Sequence, residues 1–545
     1  MWEFRARKAP GAESLPDNPL LRRGVPSPGR AAGQALSFTE HLPCFPRRMP
    51  LPSAMPLTDS QRRAVAALLR KVAPDADELG RVFAAHGHEL ALVGGSVRDV
   101  FLGRRSGDVD LTTDATPQRV LEITRGWADK VWLIGIEFGT VGLRKGGGTF
   151  EITTYRSESY GPKSRKPDVR YGTSLEEDLA RRDFTINAMA ARLPAAGADD
   201  LVDPFGGLRD LKEGVLRTPG SPSSSFGDDP LRMLRAARFA AQLGFSVAPE
   251  VREAMTAMAG RIEETVSPER IRAELAKLMV APDPRTGIEL LADTGLAAYV
   301  LPEVPKLKLE TDEHHRHKDV YEHSLTVLTQ ATELEERYGL SADLVVRLAA
   351  LLHDIGKPKT RTLLPGGRVA FHHHEVVGAS MARSRLRELR FPKAVVDDVA
   401  RLVELHLRFH GYGTGEWTDS AVRRYVRDAG HLLPRLHVLT RADCTTRNKA
   451  RAARLASAYD ALEQRIARLA KEEEIAKIRP DLDGNEIMRV LGLRSGPAVG
   501  EAYRFLLDLR LEHGPLGRDR AVAELLRWAR DQGITPPPAG PGPSP

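Results

Sequence analysis

The sequence predicts an α+β fold in which a small mixed, mainly antiparallel sheet comes first and a long, almost wholly helical remainder follows. Three observations carry this reading. Between residues 90 and 155, short β-rich runs alternate with glycine turns. After Leu216 the apolar spacing becomes helical, punctuated by capping residues and prolines. At 545 residues the chain exceeds what one hydrophobic core supports, so several domains are expected.

In chain order, residues 1–55 are rich in Pro, Gly, Ser and Arg and read as a disordered extension. Met55 stands as an alternative start, because an amphipathic helix signal follows it at Gln61 to Leu69. Strands are expected over Leu90 to Val93, Val131 to Ile134, Thr140 to Leu143 and Thr149 to Tyr155, with a helix over Pro117 to Trp127. Asp229-Pro230 opens a helix running to Leu243, the aspartate capping and the proline occupying the first helical position. Ser267-Pro268 repeats that start for a helix to Leu278. Between them Thr218 to Phe226, with its Pro-Gly-Ser composition, reads as a hinge loop. The last residues, Pro536 to Pro545, form a low-complexity tail.

Composition narrows the class. With 41% apolar and 28% charged residues the chain is globular, and its net charge of +7 favours a polyanionic partner modestly. Two cysteines, Cys44 and Cys444, exclude a disulfide framework and fit a reducing compartment. No apolar run reaches membrane-spanning length, and the first residues lack a hydrophobic signal core, so the expected location is cytoplasmic with no membrane partner.

The densest chemistry lies in Leu92-Val-Gly-Gly-Ser-Val-Arg-Asp99 followed by Gly107-Asp-Val-Asp110. Residues i and i+2 of a strand share a face, so Asp108 and Asp110 can converge. Converging carboxylates repel unless a cation lies between them, and oxygen-only ligands suit Mg2+. Gly94-Gly95 allows close approach of a phosphate to the backbone, and Arg98 supplies charge. Arg181, Arg182, Asp183 and Asn187 supply a second half, with the arginine forks suited to triphosphate oxygens or a base edge. The pair of motifs reads as a phosphoryl- or nucleotidyl-transfer site. Glu151 is either a third carboxylate of that centre or a solvent-facing edge residue. Arg232, Arg235 and Arg238 recur every three residues, facing either a nucleotide or tRNA phosphates, or simply water.

A second centre is suggested between 314 and 410, where histidines crowd. His323 opens one helix, and His353-Asp354 ends another at Gly356-Lys357. Further donors follow in His372-His-His-Glu375, His406, His410 and Arg441-Ala-Asp-Cys444. A His-Asp dyad joined by such donors from separate helices chelates a divalent ion, with Mg, Mn, Fe and Ni all compatible. Burying His353 and Asp354 without partners would be expensive.

On these motifs, residues 56 to 530 resemble the bacterial CCA-adding tRNA nucleotidyltransferase/poly(A) polymerase family, of the actinobacterial type with an HD-type metal domain. The resemblance implies a nucleotidyltransferase head at 56–215, a helical neck and nucleotide-selection region at 216–300, an HD metal domain at 301–450, a helical tRNA-binding tail at 451–533 and a disordered end at 534–545. It implies that Asp108 and Asp110 hold magnesium, with Gly94, Gly95 and Arg98 in the same signature. Glu177 to Ala188 matches the second signature. Asp228-Asp-Pro-Leu-Arg232 matches the motif that reads CTP or ATP, through Asp229 and Arg232, although its first acid is Asp where Glu is common. Tyr155 to Glu176 corresponds to the mobile loop that switches C to A addition, which argues against a CC-only enzyme. His323, His353, Asp354 and Asp443 match the HD ligand set, with His374 and His406 as ligands of a second metal. The implied partners are the tRNA 3′ end, CTP and ATP. A poly(A) polymerase, or more remotely an HD-type metal phosphohydrolase, is the alternative.

Overall fold

The computed structural model describes residues 74–535 apart from 105–107, 134, 137–138, 160–167, 172–173, 196–199, 310–318, 366–367, 410–416, 447 and 474–478. The expected extension at 1–55, the helix signal at 61–69, Cys44, His410 and the tail from 536 all lie outside the described residues. The chain divides into two compact units, Met1–Thr265 and Val266–Pro545.

The first unit is built on a seven-stranded sheet. Its strands, with two others, are β1 (Leu90–Val93), β2 (Asp108–Thr113), β3 (Lys130–Trp132), β4 (Thr140–Lys145), β5 (Gly148–Thr154), β6 (Arg156–Ser159), β7 (Asp168–Tyr171), β8 (Ala190–Leu193) and β9 (Leu201–Val202). The sheet order is β3-β4-β5-β2-β1-β8-β9, and β6 with β7 forms a separate antiparallel pair. All pairings in the large sheet are antiparallel except one: β2 and β5 run parallel. That exception sets Asp108 beside Thr149 and Asp110 beside Glu151. Alternation buries Leu111 on β2 and Phe150 and Ile152 on β5.

Several expected elements are corrected. The helix expected to reach Trp127 spans Pro117–Ile123. Gly126 adopts a positive φ of 84°, and Trp127 instead packs edge-on against Phe150 while its indole N–H donates to Glu78. The hinge expected at Thr218 to Phe226 contains a helix, Pro222–Asp228, pinned by the fully buried Phe226. Pro at the first position and a buried aromatic outweigh the loop-like serine run. The presumed loop from Tyr155 to Glu176 contains β6, β7 and the start of a helix, Leu175–Ala180 capped by Ser174; its centre is outside the described residues.

One close approach fixes the second signature in place. A Cβ on Gly207, at the start of helix Gly207–Glu213, would lie 2.1 Å from the Thr185 carbonyl oxygen and 2.9 Å from Met189. The contact is reinforced by Asp210, wholly buried, which accepts from the Thr185 hydroxyl at 2.7 Å and from Arg217 at 2.9 Å. Gly207→Ala is therefore expected to destabilise the first unit by about 1–3 kcal/mol, the usual cost of overpacking. Calorimetry decides it: an unchanged melting temperature would mean the Thr185 turn yields freely.

The second unit is helical. Its central helix, Leu344–Leu352, is buried on nearly every residue, the pattern of a helix surrounded by others. Its one charged residue, Arg347, is paired with Glu335 at 2.7 and 2.8 Å and donates to the carbonyls of Met279 and Ala281. The helix stops at His353 rather than continuing to Lys357, and a short helix, Lys357–Thr360, follows. Around it pack Pro268–Met279, Val320–Leu334, Lys393–Leu405 and Leu433–Ala442, and His374–Glu388 packs on Lys393–Leu405. The last three helices, Gly484–Leu491, Pro497–His513 and Arg518–Asp531, share a core of their own around Ile487, Leu506 and Leu525. The first of them opens on a capping box between Asp483 and Glu486. Among the described residues no helix is long and apolar enough to cross a membrane.

Candidate active site and metal centre

The first centre forms where β1 turns into helix Gly95–Phe101. Gly94 makes that turn with a φ of 68°, a conformation open to glycine. A Cβ there would lie 2.9 Å from Arg182 Nη1 and 3.9 Å from Asp110 Oδ2, so the missing side chain leaves a cradle between guanidinium and carboxylate. Ser96, buried behind Gly95, accepts the Asp110 backbone N–H at 3.0 Å and ties β2 to the turn. Residues paired in register on parallel strands face the same side, so Asp110 and the exposed Glu151 flank one surface. This favours the third-carboxylate reading of Glu151. Asp108 begins the same strand, two residues before Asp110. Oxygen donors from adjacent strands, with a glycine cradle alongside, fit a hard divalent cation such as magnesium.

The second signature lies against this turn. Asp183 accepts from the Phe184 N–H and from Asn187 with one oxygen, and from Arg235 at 2.6 and 2.7 Å with the other. Burial raises its pKa, but Arg235 and these hydrogen bonds outweigh that and hold it at about 2. Asn187 in turn accepts from Arg98 at 2.7 Å, and Arg98 also donates twice to Asp99. Arg98, Arg235 and Arg238 all lie over the ring of Phe239, at 5.2, 5.6 and 4.0 Å from its centre.

The structure thus joins Gly94, Gly95, Arg98, Asp110, Arg182, Asp183, Asn187 and Arg235 into one continuous network. The arginine stripe is not a wet face. Arg232 and Arg238 are buried, and Arg232 donates to Ser225 and, at 2.6 Å, to the Arg181 carbonyl. Asp229 accepts the Leu231 N–H at 3.2 Å, but helix Leu231–Leu243 begins one residue later than expected, with Pro230 rather than Asp229 at its N-cap position. The residues that sequence reasoning passed over are Ser96, Ser225, Phe239 and Asp178. Asp178 had a visible signal: it stands three and four residues before Arg181 and Arg182, on the spacing at which helical side chains meet.

The second unit gathers the six expected ligands. His323 Nε2 lies 2.9 Å from Asp443 Oδ1 and 3.2 Å from His353 Nε2. His374 Nε2 lies 3.3 Å from Asp354 Oδ1 without the geometry of a hydrogen bond. The six fall into two triads, His323, His353 and Asp443, and Asp354, His374 and His406. In each of His353, His374 and His406 the Nδ1 nitrogen sits 2.6–2.9 Å from a backbone carbonyl, of Ala350, Phe371 and Val403 respectively. A carbonyl only accepts, so each Nδ1 carries a proton and Nε2 is the nitrogen turned into the cluster, the orientation metal-bound histidines use.

Burial lowers the pKa of His353, yet Asp354 and Asp443 overcome it and push the imidazole up to about 9. His406, buried beside His353, is held at about 3. Two carboxylates and the imidazole nitrogens gather in this buried cluster, a donor set that fits a divalent cation, which on binding would displace the second proton these carboxylates hold on His353. Gly356 makes the packing possible: a Cβ there would lie 2.1 Å from the His374 carbonyl oxygen. Cys444, next to Asp443, is half-buried and 3.5 Å from the Tyr459 hydroxyl.

Family models match the stretches of chain around both clusters. Residues 90–217 match the poly A polymerase head domain, 320–448 the HD domain, and 244–307 a probable RNA and SrmB-binding site of polymerase A. The A-adding tRNA nucleotidyltransferase of Deinococcus radiodurans is 35% identical over 450 residues, covering 81% of this chain and 96% of that protein. The CC-adding tRNA nucleotidyltransferase of Thermus thermophilus is 34% identical over 448 residues, covering 80% and 93%. Among solved structures, the Bacillus stearothermophilus CCA-adding enzyme in complex with CTP superposes with a TM-score of 0.59 at 25% identity, over 85% of this chain and 98% of that one. By its near full-length likeness to these enzymes, and by its head and HD domain matches, the chain belongs to the tRNA nucleotidyltransferase/poly(A) polymerase family.

Proposed function

We propose that this protein is a template-independent CCA-adding tRNA nucleotidyltransferase, which extends the tRNA 3′ end with C, C and A from CTP and ATP. The observation that carries the reading is the parallel register of Asp110 with Glu151, beside the Gly94 cradle and Arg182. Asp108, Asp110 and Glu151 are the residues that would hold magnesium. Magnesium bound there lowers the pKa of the tRNA 3′-hydroxyl and offsets triphosphate charge. The 3′-oxygen forms a bond to the α-phosphorus, the bond to the bridging oxygen breaks, and pyrophosphate leaves. Arg98 and Arg182 face the departing charge, and Asp183 with Asn187 keeps Arg98 and Arg235 in place.

Nucleotide choice belongs to the protein. Asp229 accepts from the base amino group and Arg232 donates to ring acceptors. A base competes with Ser225 and the Arg181 carbonyl for the Arg232 N–H groups. Arg181 and Arg238 complete the positive surround. Residues 451–533 serve as a tRNA-binding tail, reading shape and phosphates, and the enzyme acts in the cytoplasm. At the HD centre a divalent metal is held by His323, His353, Asp354, His374, His406 and Asp443, a donor set that suits Mn, Fe or Ni as readily as Mg.

The product decides between this and neighbouring activities, because the two near full-length relatives add A and CC respectively. Purified protein with magnesium and tRNA lacking its 3′ end, given labelled CTP, ATP or both, is expected to add C, C and A and stop. Long A tracts without C would make it a poly(A) polymerase. Arrest after two C residues, or A added only to tRNA ending in CC, would overturn full CCA addition.

A further inference from the structure

We propose that Asp178 is a positioning residue of the head site, fixing Arg181 and Arg182 as one rigid unit that faces the nucleotide's phosphates; this rests on the head-site reading above. Asp178 lies on helix Leu175–Ala180 with its side chain wholly out of water. Its Oδ1 accepts from Arg181 Nη2 at 2.6 Å and Nε at 3.1 Å, and its Oδ2 accepts from Arg182 Nη2 at 3.1 Å. Forked donors on a fixed carboxylate define direction as well as distance.

The arrangement is more than a single structural pair, because one buried carboxylate grips two successive arginines, each oxygen taking a different one. Arg182 moreover keeps Nε buried without a hydrogen-bond partner, a poor outcome if stability were its only role. The two arginines also lead to different parts of the site. Arg182 Nη1 borders the Gly94 cradle beside Asp110. Arg181, through its carbonyl, receives Arg232 Nη2 at 2.6 Å. A single buried carboxylate thus grips two neighbouring arginines, one bordering the Gly94 cradle and one whose backbone meets Arg232. Its pKa is consistent with this: burial raises it, and the two guanidiniums bring it below the ordinary carboxylate value.

The test is steady-state kinetics of full-length Asp178→Asn. An asparagine sets an N–H group against arginine donors and releases one of them. The KM for CTP and for ATP should rise about tenfold, with the KM for tRNA unchanged. In an Arg181→Ala/Arg182→Ala background the same substitution should add little, since its effect runs through these two arginines. A lower melting temperature with normal nucleotide KM would overturn the proposal, as would additive effects in that cycle. Asp178→Glu, which keeps the charge but displaces it, should give an intermediate KM. If neither variant folds, Asp178 serves folding alone and the proposal is wrong. Wild-type protein that transfers no nucleotide would instead overturn the head-site reading itself.

Discussion

Asp110→Asn is expected to slow nucleotide addition by at least about a hundredfold while leaving tRNA affinity nearly unchanged. The substitution preserves shape and removes charge. The Asp110 backbone is held independently by Ser96 and by the β2–β5 register, so the sheet should survive it. What is lost is one of the carboxylates on the surface shared with Glu151. Single-turnover assays with magnesium, paired with filter binding of tRNA, separate the two quantities. Normal turnover would sink the ligand role of Asp110, and a large loss of tRNA affinity would point to damage in the sheet.

The second large effect is expected at the other centre. Asp354→Asn should cost the HD domain most of its bound metal and leave CCA addition intact. Asp354 accepts from Lys357 at 2.8 Å and lies 3.2 Å from His353 and 3.3 Å from His374. Without its charge, Lys357 loses the buried carboxylate it donates to, and removing one member of such a buried pair typically costs about 3–5 kcal/mol. Elemental analysis of metal per chain and the melting temperature are the measurements. Full metal retention would remove Asp354 from the ligand set. Loss of nucleotide addition would show that the HD centre supports transfer, which separate ligand clusters do not require.

Much of this was legible in the sequence, for identifiable reasons. The alternation Asp108-Val-Asp110 and the dyad His353-Asp354 are local patterns, readable because strand and helix periods are themselves local. Glu151 stayed undecided because its proximity to Asp110 depends on a parallel pairing across about forty residues, which no local period encodes. The expected antiparallel habit of the sheet would not have predicted that pairing. Whether Arg232 and Arg238 face a ligand or water stayed open because charge every third residue is as common on wet faces as on binding ones. What buries them is the packing of helix Pro222–Asp228 and of Phe239, a tertiary effect. The hinge reading at Thr218 to Phe226 failed for a related reason: composition saw serine and proline, while the buried Phe226 decided the conformation. Gly207 and Gly356 gave no signal at all, since the need for a missing side chain exists only once another chain segment arrives.

The network of the first centre draws on residues scattered from Gly94 to Arg235. During synthesis the N-terminal segments emerge first. β1 and β2 leave the ribosome early, yet the Asp110–Glu151 surface waits for β5, the guanidinium cluster for Arg182, and the lock on Asp183 for Arg235. A ribosome-bound fragment that already contains the Gly94 turn is therefore incompetent as a catalyst. On the proposed roles of these residues, transfer waits until Arg235 has been made, well after the strands that carry the carboxylates.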